Sequence, residues 1–241
     1  MSEKTTVLVT GANKGIGYEI AAGLGTLGWR VGVGARDAER RDAAVAALVA
    51  GGADAFGVAL DVTDDASVTA AARLLEEQEG RLDVLVNNAG VTGGGPQMPT
   101  TVDVERLRTA VETNVFGVLR LTNAVLPLLR RSPSPRIVNM SSTVGSLTRQ
   151  TTPGDHAGPI AAAYSPSKTY LNALTVQYAK ELADTNVLIN AGCPGYVATD
   201  LNGHSGHRTP EQGAAIAIRL ATLPDDGPRG GFFDDAGVVP W

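Results

Sequence analysis

Thr5-Thr6-Val7-Leu8-Val9-Thr10-Gly11-Ala12-Asn13-Lys14-Gly15-Ile16-Gly17 passes from a short apolar run straight into a glycine-rich loop, and a helical stretch to about Leu27 follows it. The run TTVLVT is continuously apolar rather than alternating, as a strand covered on both faces requires. The same kind of run recurs in WRVGVGA, AFGVALD, LDVLVNNAG, RIVNMSS, NVLINAG and GGFFDD. Between these runs, Asp37 to Ala50, Asp64 to Glu79 and Val102 to Arg131 carry the 3.6-residue period. Strand and helix in regular alternation predict an α/β fold, a doubly wound, mainly parallel sheet with helices on both faces. Ligands in that architecture lie beyond the carboxyl ends of the strands. The polar and glycine-rich residues gather at those ends: Gly11 to Gly17, Arg36, Asp61, Asn87 to Gly90, Ser141 to Ser142 and Pro194 to Thr199.

The 241 residues suit one large domain spanning 1–241, with no linker or repeat to divide them. A net charge of −5 with scattered Lys and Arg argues against nucleic acid and for a small-molecule partner. Cys193 is the only cysteine, which excludes an internal disulfide and suits a reducing compartment. No signal-peptide core and no apolar run of about 18 residues is present, so no membrane partner is expected and the cytoplasm is the expected location.

The spacing in Thr10-Gly11-Ala12-Asn13-Lys14-Gly15-Ile16-Gly17 is Gly-x-x-x-Gly-x-Gly. Glycines after a first strand let a pyrophosphate approach the backbone while the following helix N-terminus offers N–H groups to the anion. A plain tight turn is the other reading of such a loop. Arg36 closes the second strand where the adenosine ribose of a dinucleotide would sit, and Arg40 lies one helical turn on. Cationic side chains at this strand end accommodate the 2′-phosphate of NADP, whereas a carboxylate favours NAD. With Lys14 in the loop the cations predict NADP(H), and Asp37 reads as the N-cap of its helix. Solvated surface charge remains the plain alternative for both arginines.

Tyr164 and Lys168 stand four apart in AAAYSPSKTYLNALTVQYAKEL, on one face of a predicted helix beginning close to Ala162, where Pro166 is tolerated in the first turn. An ammonium beside a phenol favours the phenolate, which would bring its proton into play well below the usual pKa of about 10. Such a pair can serve as a general acid or base, although a surface pair would show the same spacing.

Together TGANKGIG, the NNAG of Asn87 to Gly90, Asn114 in ETNVFG, Ser141-Ser142 in IVNMSS, YSPSK and the PG of CPGYVATD resemble the short-chain dehydrogenase/reductase family, in the family's order from about Thr6 onward. NKGIG, ARD with Arg40 three residues on, LDVLVNNAG and the segment ending in Trp241 look most like its NADPH-dependent carbonyl reductase branch. The resemblance implies a Rossmann-type fold and an oxidoreductase that reduces a ketone, aldehyde or quinone carbonyl. It implies Tyr164 as proton donor, Ser142 as the hydroxyl bonding the carbonyl oxygen, Lys168 on the nicotinamide ribose and Asn114 anchoring a relay water. It further assigns Asp61 and Val62 to the adenine, Asn87, Ala89 and Gly90 to the adenosine ribose region, and Pro194, Gly195, Val197 and Thr199 to the nicotinamide end. Asp61 as a helix cap, the asparagines as a strand exit and Pro194-Gly195 as a turn are the plain alternatives. A 3-oxoacyl thioester reductase and a non-catalytic NADP-binding sensor are the competing functions.

Ser142 and Tyr164 lie 22 residues apart, and the turn-rich segment GSLTRQTTPGDHAGPIAA between them is expected to wall or cover the substrate. Family members pair through the helices of Asn114 and Tyr164, as homodimers or homotetramers, while a long insertion here goes with monomers. His204 and His207 are expected to flank a substrate loop rather than hold a metal. Cys193 reads as a small core residue. Arg130, Arg131 and Arg136 read as closing a helix C-terminus and its loop, with docking of an acidic carrier protein as the alternative.

Overall fold

The chain runs β1 (Thr6–Thr10), α1 (Gly15–Thr26), β2 (Arg30–Ala35), α2 (Ala38–Ala50), β3 (Asp54–Ala59), α3 (Asp65–Glu79), β4 (Val84–Asn87), α4 (Val104–Val111), α5 (Gly117–Leu129), β5 (Arg136–Met140), α6 (Leu147–Thr151), α7 (Tyr164–Glu181), β6 (Leu188–Gly192), α8 (Pro210–Ala221), β7 (Phe232–Asp234) and β8 (Gly237–Val238). This computed structural model describes residues 4–95, 97–155 and 158–241. Met1 to Glu3, Pro96, and His156 and Ala157 of the segment expected to cover the substrate lie outside the described residues.

One sheet takes the order β3-β2-β1-β4-β5-β6-β7-β8. All of its pairings are parallel except the last, in which β8 turns back antiparallel on β7. The seven apolar runs became β1 to β7. Only the two-residue β8 went unread, being too short to carry a pattern. Successive side chains point to opposite faces, so Val7 and Val9 pack with Ile20, Leu24, Leu48, Ala217 and Leu220 of α1, α2 and α8, while Leu8 packs on the other face with Leu75, Leu121 and Tyr178 of α3, α5 and α7. Each of these leucines, removed from water, contributes about 1.5–3 kcal/mol.

Helix starts follow local chemistry. Asp37 caps α2 by accepting from the Arg40 N–H, Asp64 caps α3 by accepting from Ala66 and Ser67, and Thr209 and Gln212 form a reciprocal box at α8. Asp61 is therefore not the cap of α3; its carboxylate holds the Thr63 N–H and hydroxyl instead, at 2.9 and 2.7 Å. Two expectations change. The stretch Val102 to Arg131 is not one continuous helix, because a π turn at Glu112–Phe116 separates α4 from α5, with the Gly117 N–H bonding the Glu112 carbonyl five residues back. Arg136 does not lie in a loop after a helix end: it opens β5, is 2% exposed, and donates to the Leu223 carbonyl and to Asp225. Among the described residues no helix is long and apolar enough to cross a membrane.

Candidate active site

The sheet order reverses between β1 and β4, since the chain leaves β3 at one edge and returns beside β1. Helices diverge at such a switch point and leave a crevice beyond the strand ends. A cleft of about 690 Å³ opens there, within the range of about 300–1,000 Å³ common for small-molecule sites. Its floor is built for close backbone approach. A Cβ on Gly17 would collide with the Gly11 carbonyl oxygen and the Asn88 amide. The first turn of α1 has no side-chain cap, whereas α2, α3 and α8 each have one, so an anion is the natural acceptor for its N–H groups.

Of the residues expected from sequence, Gly11, Asn13, Lys14, Gly15, Ile16, Gly17, Arg36, Arg40, Asp61, Val62, Ala89, Gly90, Tyr164, Lys168, Pro194 and Thr199 line this cleft. At its outer end the charges are paired side by side. Lys14 pairs with Asp200, Arg36 lies 3.9 Å from Asp61, and Arg40 lies 3.5 Å from Asp37. The hydrogen bonds from Thr63, and then the nearby arginines, hold the Asp61 carboxyl below the usual carboxylate range.

Asn87 departs from its expected place. Its side chain points away from the cleft, into the layer of α5 and α7, where Nδ2 donates to Thr122 Oγ1 at 3.2 Å and Asn139 Oδ1 at 2.9 Å. The cause is strand parity: Asn87 shares a face with Leu85, and the next residue, Asn88, takes the cleft position. Asn88 donates its side-chain amide to the Thr10 carbonyl at 2.8 Å, tying β4 to the start of the glycine loop. Val197 is buried beneath the cleft wall, its carbonyl accepting from Asn202, and Gly195 packs against Arg208. Asp200 and Leu201 line the cleft without having been expected there, and His204, expected to flank a substrate loop, lines it with them. The signal was only positional, a loop running on past Thr199.

The inner end is formed by β5, α7 and the π turn. Tyr164 is the first residue of α7, and its phenol comes under the influence of the Ser142 hydroxyl in the loop after β5, which acts to lower its pKa. The neighbouring Ser141 is among the residues lining the cleft, whereas Ser142 is not, and the Ser141 hydroxyl donates to Asn172 Oδ1 at 2.5 Å. Lys168 is 5% exposed, and its ammonium donates to the Met140 carbonyl at 2.8 Å and lies 5.6 Å from the centre of the Tyr164 ring. The charge thus sits over the ring face, and burial dominates both groups. Burial pushes the Tyr164 phenol above its ordinary value, with the Ser142 hydroxyl opposing, and pushes Lys168 down to about 8. The expected lowering of the phenol by its lysine is therefore not what this arrangement produces.

Asn114 sits in the π turn, fully buried, a geometry that recurs at functional sites. Its Oδ1 accepts from the Val91 N–H, and its Nδ2 donates to the Val91 carbonyl and to Ser167 Oγ, all at 2.9 Å. Ser167 in turn donates to the Tyr164 carbonyl at 2.7 Å. The amide therefore joins the loop after β4 to the first turn of α7.

The family model for the short chain dehydrogenases matches residues 5–209. The chain belongs to that family. It stands with the carbonyl reductase branch, being 34% identical to carbonyl reductase (NADPH) 1 of Bos taurus over 100% of this chain and 99% of the relative. Short-chain dehydrogenase/reductase 1 of Saponaria officinalis is also 34% identical, across 100% and 97% of the two chains. The crystal structure of NADPH-bound carbonyl reductase from chicken fatty liver superposes with a TM-score of 0.87 at 28% identity, covering 99% of this chain and 100% of that one.

The segment after Ser142 is anchored rather than loose at its start. A 3₁₀ turn at Thr143–Gly145 leads into α6, Ser146 Oγ donates to the Pro240 carbonyl at 2.6 Å, and the Thr148 N–H donates to the Trp241 carbonyl at 3.0 Å. His204 bonds Asp200 at 2.9 Å, and the His207 ring lies 6.0 Å from that of Tyr196. Among the described residues no three His, Cys, Asp or Glu side chains group as metal ligands.

Proposed function

We propose that this short-chain dehydrogenase/reductase is a cytoplasmic NADPH-dependent reductase of a ketone, aldehyde or quinone carbonyl, with Tyr164 as the proton donor. The observation that carries this reading is a single cleft lined at its inner end by Tyr164 and Lys168 and at its outer end by Lys14, Arg36 and Arg40. The glycine loop and the first turn of α1 would hold the pyrophosphate, and Lys14, Arg36 and Arg40 the 2′-phosphate. Asp61 and Val62 would flank the adenine, Ala89 and Gly90 the adenosine ribose, and Lys168 the nicotinamide ribose. Pro194 and Thr199 would line the nicotinamide end, with Gly195 and Val197 supporting that wall.

Bound NADPH supplies the hydride. The protein supplies two hydroxyl donors where the carbonyl oxygen gains charge, a stabilisation larger for the developing alkoxide than for the neutral substrate. Because burial raises its pKa, the Tyr164 phenol keeps its proton near neutrality and gives it up only as that oxygen becomes basic. The Lys168 ammonium, held on the Met140 carbonyl, adds a cation beneath the same spot. Asn114 holds the loop after β4 and the first turn of α7 in register around them. Of the three arginines weighed for docking an acidic carrier protein, Arg136 is buried in β5, Arg130 is exposed, and Arg131 pairs with Glu76 at the surface.

The test is nicotinamide absorbance with a panel of quinones, aldehydes and ketones. NADPH is expected to be consumed at least about 10-fold faster than NADH, the scale set by one charge-assisted phosphate contact. Equal use of the two cofactors would remove the role given to Lys14, Arg36 and Arg40.

A further inference from the structure

One stripe of α7 grips the end of β5 residue by residue. Thr175 Oγ1 accepts from Asn139 Nδ2 at 2.9 Å, Lys168 donates to the Met140 carbonyl at 2.8 Å, and Asn172 accepts from Ser141 Oγ at 2.5 Å. Residues 168, 172 and 175 share a helix face, so one stripe of α7 holds three consecutive residues, Asn139, Met140 and Ser141, at the end of β5. Asn172 does one thing more. Its Nδ2 donates to the Gly145 carbonyl at 3.2 Å, beyond Ser142 on the other side. The side chain is 4% exposed, and both ends of its amide are used.

The Ser142 loop is thus clasped on both flanks by one amide from the helix that carries Tyr164 and Lys168. Two further contacts close the clasp. The Thr143 N–H donates to Cys193 Sγ at 3.3 Å, and Gly145 packs so tightly on α7 that a Cβ there would lie 2.7 Å from the Lys168 carbonyl carbon. The Ser142 hydroxyl accepts a long 3.4 Å bond from the Val144 N–H within its own loop. Its orientation toward Tyr164 is therefore set by where the loop is held.

We propose that Asn172 is a positioning residue: it fixes the separation of the Ser142 and Tyr164 hydroxyls by tying the residue before Ser142 and the turn after it to α7. This rests on the reductase reading above for its kinetic consequence, though not for its geometry. With Asn172→Leu, of similar size and no hydrogen-bonding group, kcat is expected to fall about 10- to 100-fold, as misplacement of a reacting group by about 1 Å does, while the KM for NADPH moves less than about twofold. Ser141→Ala removes one of the two ties and is expected to give a smaller loss of the same kind. If Asn172 acts through Ser142, then adding Asn172→Leu to Ser142→Ala costs less than about twofold more. Full additivity, or unchanged kcat in both single variants, overturns the proposal, because a merely structural role would multiply with the loss of Ser142. A crystal structure of Ser141→Ala or Asn172→Leu decides the placement without any activity. A displaced Ser142 loop with its hydroxyl parted from Tyr164 supports the clasp, and an unmoved pair overturns it. Should the wild-type protein reduce no carbonyl at all, the reductase reading fails while this structural arm still gives its answer.

Discussion

The two ends of the cleft are built from opposite materials. At the outer end the polar groups are exposed charges: the Arg36 side chain is 76% exposed, and the partners of Lys14, Arg36 and Arg40 are surface aspartates. At the inner end Asn114, Ser141, Lys168 and Asn172 are buried, and hydrogen bonds with backbone and neighbouring side chains satisfy them. Exposed pairs contribute little to stability and can exchange partners at small cost, which suits recognition of an arriving phosphate. Buried polar groups are costly unless satisfied, so a satisfied network there adopts one arrangement. One end is suited to selecting a ligand, the other to holding reacting groups in place.

Three experiments can break or sharpen that contrast. The largest effect is expected from Tyr164→Phe, which removes the proposed proton donor and should lower kcat by about 10³-fold or more, as loss of an acid together with a hydrogen bond to the developing oxyanion does. NADPH affinity, measured by fluorescence titration, should stay within about twofold. A variant keeping most of its activity would assign proton transfer elsewhere.

Next comes the outer end. Arg36→Ala with Arg40→Ala should raise the Kd for NADPH by about 10- to 100-fold and leave that for NADH nearly unchanged, at about 1.5–3 kcal/mol for charge-assisted bonds to a phosphate. The wild-type preference should also weaken as salt rises, because the groups are exposed. Tight, salt-insensitive NADPH binding in the double variant would locate selectivity at the inner end.

The smallest effect is on pH. Burial lowers Lys168 to about 8, so its ammonium is present below that value and lost as pH rises through it. Since kcat/KM for NADPH reports groups of the free enzyme, it should fall about fourfold from pH 7 to pH 8.5. The linked effect on folding has the opposite sign. An unfolded lysine titrates near 10.4, so between about 8 and 10.4 the folded chain carries fewer protons and gains stability as pH rises. A profile flat through pH 9 in kcat/KM would show that Lys168 keeps its charge.

Much of this could be read from residues in order. The apolar runs marked seven strands, because a strand covered on both faces is mostly apolar and carries a polar residue such as Asn139 or Asn190 only where hydrogen bonds satisfy it. Asp37 was legible as a cap because it opens a periodic segment, where a carboxylate meets unpaired N–H groups, whereas the cap of α3 proved to be Asp64 rather than Asp61. The π turn at Asn114 could not be read, since one added residue in a helical turn leaves no mark in composition. The exchange of Asn87 for Asn88 turned on strand parity, and two adjacent asparagines look alike until a neighbouring layer claims one of them.

By itself, then, the order of residues determined the strand and helix alternation, the glycine loop at its first turn, and the helical pairing of Tyr164 with Lys168, all of which follow from local geometry a few residues long. Tertiary structure alone decided the rest: that Lys168 lies over the phenol ring, that burial raises one group and lowers the other, and that Asn172 clasps the loop of Ser142. Those outcomes depend on desolvation and on contacts between segments distant along the chain, which come into being only when the layers close on one another.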